Sequence, residues 1–278
     1  MKQYILLLSL LLLLAIPSLA AEPTANSVES AGYQQVAAPG ALMTVFGAGF
    51  PTGSSISTSA SSLPLPTVLE GVSLLVNGVP APLLYVSVSL DGNFQINYQM
   101  LWNVVKSAMV EVRYDGNLIT SKQVPISTAA PGFFTVDGSG TGQVSAQNYE
   151  PLRETYQPNG PVWTCVPGRI LILYGSGTGK TIDQATGLEA TPNAGEATPT
   201  GVLYVTATLP TVTIGGKQAE VLFSGLAPGY VSLWQITVRA PSESAEGRAL
   251  PVVINYERQS TRAGVTVAVV NRHVLLAQ

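Results

Sequence analysis

Between residues 72 and 114, three short stretches alternate apolar and polar side chains with a period of two. Val72, Leu74 and Val76 share one face of a strand that stops at Asn77-Gly78, a pair suited to a two-residue type I′ turn because both turn positions need φ > 0. Phe94, Ile96 and Tyr98 then alternate with Gln95, Asn97 and Gln99, and Val110, Val112 and Tyr114 with Glu111 and Arg113, up to a turn at Asp115-Gly116. A strand ALMTVFG ending at Gly47 is expected ahead of these, with a return strand over 81–89 and a last strand within 117–127. The stretch between Gly47 and Pro66, rich in Ser, Thr, Gly and Pro, is expected to be a surface loop. Short alternating strands with closely spaced turn signals describe a β-sandwich.

The pattern occurs twice. Residues 66–100, PTVLEGVSLLVNGVPAPLLYVSVSLDGNFQINYQM, return in degenerate form at 209–240 as LPTVTIGGKQAEVLFSGLAPGYVSLWQITVRA, with Gly215-Gly216 in place of Asn77-Gly78. RILILYG after Val166-Pro167-Gly168 is the counterpart of APGALMTVFG, and strands follow around 201–208, 211–214, 218–223, 231–239, 249–256 and 264–270. A polar, Gly/Pro-rich loop is expected over 178–200, and no stretch after the N-terminal apolar run shows a capped helical period. The expected fold is all-β, two tandem immunoglobulin-like β-sandwiches. Residues 21–35 read as an irregular leader, 36–128 as the first sandwich and 129–165 as a connecting segment with two short strands. Residues 166–270 read as the second sandwich and 271–278 as a tail.

APGALMTVFGAGF, LPLPTVLEGVSLLVNGVPAPLLYVS, FQIN, AAPGFFTVDGSGTGQ, PGRILILYGSGTG, VTIGGKQAEVLFSGLAPGYVSLWQITVRAP and LPVVINY, in that order over about 230 residues, resemble the bacterial family described as the Solibacter uncharacterised C-terminal domain. The resemblance implies a secreted or surface protein whose units are similar to IPT/TIG immunoglobulin-like domains. It implies no particular activity and assigns no site residues. In that family the module usually closes a longer chain, whereas here it makes up nearly all of the expected mature protein. The stretch NYEPLRETYQPNGPVWTC departs from the family pattern, which leads one to expect a shorter Asn/Asp/Gly-rich connection.

The N-terminus adds a compartment. Met1-Lys2, an apolar run from Ile5 to Ile16 and Ser18-Leu19-Ala20 form the pattern of a secretory signal peptide, with cleavage expected after Ala20. Pro17 breaks the run short of a membrane span, so the mature chain is expected to be soluble, without a transmembrane segment, and exported to the surface or the medium. Loss of residues 1–20 leaves 12 basic against 16 acidic residues, which does not favour nucleic acid. Cys165 is the only cysteine, so no intrachain disulfide forms, and it reads as a small buried apolar residue.

Chemical candidates are few. Residues 175–181, GSGTGKT, suggest a phosphate-binding loop, but the first Gly of the required spacing is Tyr174 and the residues after Thr181 have no helical stripe, so nucleotide is not expected. Asp137-Gly-Ser-Gly-Thr-Gly142 begins like a calcium loop, yet the twelfth position is Asn148 rather than Glu. His273 is the only histidine and lies in the tail, which excludes multi-His metal sites and leaves a Ser-His-Asp triad without an oriented base. No catalytic residue, cofactor or metal is therefore expected.

What remains are polar and aromatic residues able to face a partner. Gln95, Asn97 and Gln99 in one unit, with Gln235, Thr237 and Arg239 in the other, could hydrogen-bond sugar hydroxyls or a partner strand. The same alternation also fits a solvated sheet face or glutamines fixing a neighbouring loop. Tyr149, Tyr156 and Trp163 could grip a glycan or plug a domain interface. The reading that follows is a non-catalytic secreted or cell-surface module for adhesion, scaffolding or envelope interaction, with an unknown protein or polysaccharide partner. Carbohydrate binding is the alternative and a secreted hydrolase the remote one.

Overall fold

The computed structural model describes residues 23–29, 31–53, 55–242 and 246–271. The signal-peptide segment and the tail beyond Asn271, His273 included, lie outside the described residues. Within them every regular element is a β-strand, and no helix is long and apolar enough to cross a membrane.

The first sandwich has two five-stranded sheets. In one, Thr24–Glu29 pairs with Leu42–Ala48, which pairs with Asn93–Gln99, then Leu83–Val88 and Ile56–Ser59. In the other, Asn117–Pro125, Ser107–Tyr114, Val72–Val76 and Val68–Leu69 follow in order, with Val79–Pro80 beside Val72–Val76. The alternation read from the sequence sets the core: Val72, Leu74, Val76, Phe94, Ile96, Tyr98, Val110 and Val112 are all buried between the sheets. Asn77 and Gly78 have φ of 50° and 81° and close a two-residue hairpin between Val76 and Val79. The chain then leaves that sheet and crosses to the other as Leu83–Val88.

The second sandwich repeats this plan. Ile170–Ser176 pairs with Trp234–Arg239 as Leu42–Ala48 does with Asn93–Gln99, and Gly175 stands opposite Trp234 as Gly47 does opposite Phe94. Thr211–Ile214 turns through Gly215-Gly216 into Lys217–Leu226, and Gly247–Tyr256 flanks it on the other side. Here the crossing strand is continuous. Lys217–Leu226 pairs first with Thr211–Ile214 and then with Trp234–Arg239, bent by an irregularity between Val221 and Phe223, so both layers join in one folded sheet.

Four segments differ from the sequence reading, one of them Thr181–Asp183, which lies in the expected 178–200 loop and forms a short strand paired with Tyr204–Thr206. Thr24–Glu29, expected in an irregular leader, forms an edge strand, and Ile56–Ser59, expected in a loop, forms another. Residues 129–165 contribute Gly132–Phe133, Gly142–Gln143, Ala146–Glu150 and Thr155–Pro158, all built onto the second sandwich. Edge strands are held chiefly through main-chain bonds on one side, so their sequences need not alternate.

The two sandwiches are stitched together. Ala130 is buried in the first core and its neighbour Ala129 in the second. Leu42 N–H donates to Ser176 Oγ at 2.8 Å, and Leu65 N–H donates to the Gly195 carbonyl at 2.8 Å. Gln34 Nε2 donates to Pro131 O and Ser260 O, both at 3.1 Å. The 178–200 loop thus leans on the first sandwich, where Gly195 lies against Pro82 and Leu65.

Candidate ligand-binding faces

Strand alternation sends Gln95 and Asn97 to the outer face of their sheet. Gln95 Nε2 donates to Asn97 Oδ1 at 3.0 Å, and Thr44 Oγ1 donates to the same oxygen at 3.1 Å. Gln99, two residues on, is buried instead at 1% exposure. Its Nε2 donates to Ser232 Oγ, while its Oε1 accepts from Gly195 N–H at 2.6 Å, both in the second unit. Gln99 is therefore an interdomain clamp, and nothing in the spacing of Gln95, Asn97 and Gln99 distinguishes it from its neighbours. Gln99→Leu removes both partners at once and leaves buried polar groups unpaired, each costing about 1–3 kcal/mol. The expected result is a lower urea midpoint together with faster proteolysis within 178–200. An unchanged cleavage rate would show that Gln99 does not hold that loop.

In the second unit two sets of candidates share one face. Cross-strand register places Tyr156, Tyr149, Ile170, Arg239 and Glu220 in one row. Gln147, Ile172, Thr237 and Phe223 form the next row, and Tyr174 and Gln235 the row beyond. At ordinary strand and residue spacing these rows span a face of about 19 Å across the strands and about 14 Å along them. The Tyr149 and Tyr156 rings lie 4.9 Å apart between centroids. Tyr174 OH donates to Gln147 Oε1 at 2.8 Å, and its pKa is raised, first by burial and then by the neighbouring Tyr230 and Tyr156 hydroxyls. Gln235 Nε2 donates to Thr237 Oγ1 at 3.3 Å, repeating the Gln95 to Asn97 bond. Arg239 is neutralised by Glu220, Nε to Oε2 at 2.9 Å. Tyr156 and Tyr230 remain about 60% exposed.

Trp163 is not joined to this group by a ring contact among the described residues. Its carbonyl accepts from Asn148 Nδ2 at 2.8 Å, and Asn148 stands on the opposite face from Tyr149. The two sets are joined by the hairpin register, for which the sequence carries no signal: with Tyr149 opposite Tyr156, and Tyr149 opposite Ile170, the tyrosines share the face of Arg239.

The Gly-rich motifs have structural roles. Gly177 and Gly179 run beside the connection, where an added Cβ would stand 1.8 Å from Ala130 O and 1.8 Å from Thr128 O respectively. Lys180 pairs with Glu189 and Thr181–Asp183 is a strand, so no helix N-terminus faces the motif. Asp137 Oδ1 accepts from Ser139 N–H at 3.0 Å, which closes the turn and lowers its pKa, while the Gly138 carbonyl accepts from Tyr33 OH at 2.7 Å. No group of three His, Cys, Asp or Glu side chains able to hold a metal occurs among the described residues. Cys165 occupies the place of Ala37 in the repeat, and both make a parallel bridge to the last strand of their sandwich. Burial pushes its thiol up to about 12, which keeps it protonated and unreactive.

No family model and no curated protein matches the chain. Among solved structures it is similar to the tandem Ig repeats of Dlar, at 9% identity over 90% of this chain and 100% of that one, with a TM-score of 0.19. It is also similar to a chimeric titin Z1Z2-Z1Z2 tandem functionalised with an exogenous GRGDS peptide from fibronectin, at 10% identity over 84% and 92%, with a TM-score of 0.17. Such scores add nothing to the strand order itself, which makes the chain an all-β pair of immunoglobulin-like sandwiches.

Proposed function

We propose that this chain is a non-catalytic interaction module, exported and acting at the cell envelope as an adhesion or scaffolding piece. The observation that carries this reading is the open tyrosine and amide face of the second sandwich, set on a frame in which the two units are clamped together. A flat, solvated sheet face can grip an extended partner, whereas it lacks the enclosure that excludes water around a reacting bond. The signal-peptide pattern and the resemblance to a secreted bacterial family support the location.

The tyrosines favour one partner class as a second reading, an uncharged polysaccharide. Exposed phenol rings stack on the apolar faces of sugar rings, the amides of Gln147 and Gln235 supply donors and acceptors, and the Arg239–Glu220 pair leaves the face without net charge. Purified residues 21–278 are expected to be retained on an insoluble or immobilised neutral polysaccharide, and Tyr156→Ala with Tyr230→Ala to weaken retention at least about tenfold, since each exposed anchor ring contributes on the order of 1 kcal/mol. Silence across plant, fungal and bacterial polymers would reject the carbohydrate reading. A hydrolase activity abolished by changing a single carboxylate would reject the non-catalytic one.

A further inference from the structure

The hairpin of Ala146–Glu150 and Thr155–Pro158 has a second face. Opposite the tyrosines it presents Asn148, Glu150, Thr155 and Gln157 toward the open end of the second sandwich, where Thr164, Arg169 and Asn271 close a cavity of about 400 Å³. That volume is in the range of small-ligand sites. Two guanidiniums, Arg153 and Arg169, line it against one carboxylate, Glu150, so it carries a net positive charge. Arg169 Nη1 reaches Glu150 Oε1 only at 3.6 Å, and Arg153 has no ion pair among the described residues. The Gln157 amide and the Thr164 hydroxyl also line the cavity and find no protein partner among the described residues. Cys165 at its floor is protonated and takes no part.

We propose that this cavity binds one carboxylate-bearing sugar residue of the hexuronate type. The carboxylate sits between Arg153 and Arg169, which a planar two-donor fork fits better than an ammonium. The ring hydroxyls meet Gln157, Thr155 and Thr164, groups that donate and accept alike and that a plain carboxylic acid would leave unused. The cavity shares Tyr149 and Ile170 with the edge of the tyrosine face but does not include Tyr156, Tyr174, Tyr230 or Gln235, so Tyr156→Ala with Tyr230→Ala tests that face while leaving the lining of this cavity intact.

The test is titration calorimetry of residues 21–278 with glucuronate and galacturonate, their methyl esters, glucose and acetate. Saturable binding of at least one free uronate is expected, with its methyl ester, glucose and acetate each weaker by about tenfold or more, because a charge-assisted contact is roughly twice as strong as a neutral one. Arg153→Gln and Arg169→Gln should each weaken uronate by about tenfold while leaving the melting temperature unchanged, since both side chains are exposed and loosely paired. Lys122→Gln in the first sandwich, which makes the same change in net charge, should have no effect. Absence of uronate binding at millimolar concentration overturns the proposal, as does equal binding of acid and ester. Acetate matching uronate overturns the assignment to a sugar.

Discussion

Trp234→Ala should lower the unfolding free energy by about 3–5 kcal/mol, the usual cost of deleting a buried tryptophan. In a chain of this size that corresponds to a fall in Tm on the order of 10 °C. Trp234 is wholly buried and its ring lies 5.6 Å from that of Tyr256 between centroids. The indole N–H donates to Ser224 Oγ at 3.0 Å, and Thr206 Oγ1 donates to the same oxygen at 2.9 Å. Removing the indole leaves a cavity and takes one donor from Ser224. Trp234→Phe installs the residue that the first unit uses at this place, Phe94, and should cost less than half as much, because most of the ring volume returns and only the bond to Ser224 is lost. Urea denaturation of the two variants checks this. Equal losses for Ala and Phe would mean that the hydrogen bond, not the packing, holds the position.

That comparison rests on a repeat that was legible in the sequence. Phe94 and Trp234 precede the same Gln-Ile pair, and the structure sets both opposite a glycine, Gly47 and Gly175. A Cβ on Gly47 would lie 2.0 Å from Thr24 O and 2.5 Å from the Phe94 ring, and one on Gly175 would lie 2.2 Å from Gly132 O, so each glycine lets a neighbouring strand come close beside the aromatic residue's partner position. Strands with one buried face declare themselves in this way because burial forces a period of two. Thr24–Glu29, TANSVE, has no such period and is held along Leu42–Ala48 by its backbone. Residues 129–165 failed to declare their allegiance for a related reason: Ala146–Glu150 extends the sheet beyond Ile170–Ser176, where only part of the strand meets the core. The role of Gln99 was open to sequence among three alternatives, contact with a partner, a solvated face or a fixed loop, and tertiary contact alone decides between them. The tyrosine face needed the hairpin register, which the sequence of the atypical insert does not specify.

Gly177→Ala should be as damaging as the loss of the tryptophan, by a different route. Gly177 has φ of +87°, a conformation that strains any residue with a side chain by about 1–3 kcal/mol. Its added Cβ would stand 1.8 Å from the Ala130 carbonyl oxygen, so the connection must also move. Ala130 N–H donates to the Gly177 carbonyl at 2.9 Å, and losing a buried bond of this kind costs a further 1–3 kcal/mol or so. Because Ala129 and Ala130 anchor in different cores, the shift is transmitted to both sandwiches. A total of about 3–5 kcal/mol is expected, and a melting curve in which the two units unfold together should separate into two steps. Gly216→Ala is the comparator: it has φ of +78° and open space around the added Cβ, so it bears the backbone strain alone, about 1–2 kcal/mol, and leaves the two units coupled. Equal effects at Gly177 and Gly216 would mean that close approach to the connection plays no part. A larger effect at Gly177 would account for the glycines of the phosphate-loop-like GSGTGKT: alternate glycines let one strand end lie against the carbonyls that join the two sandwiches.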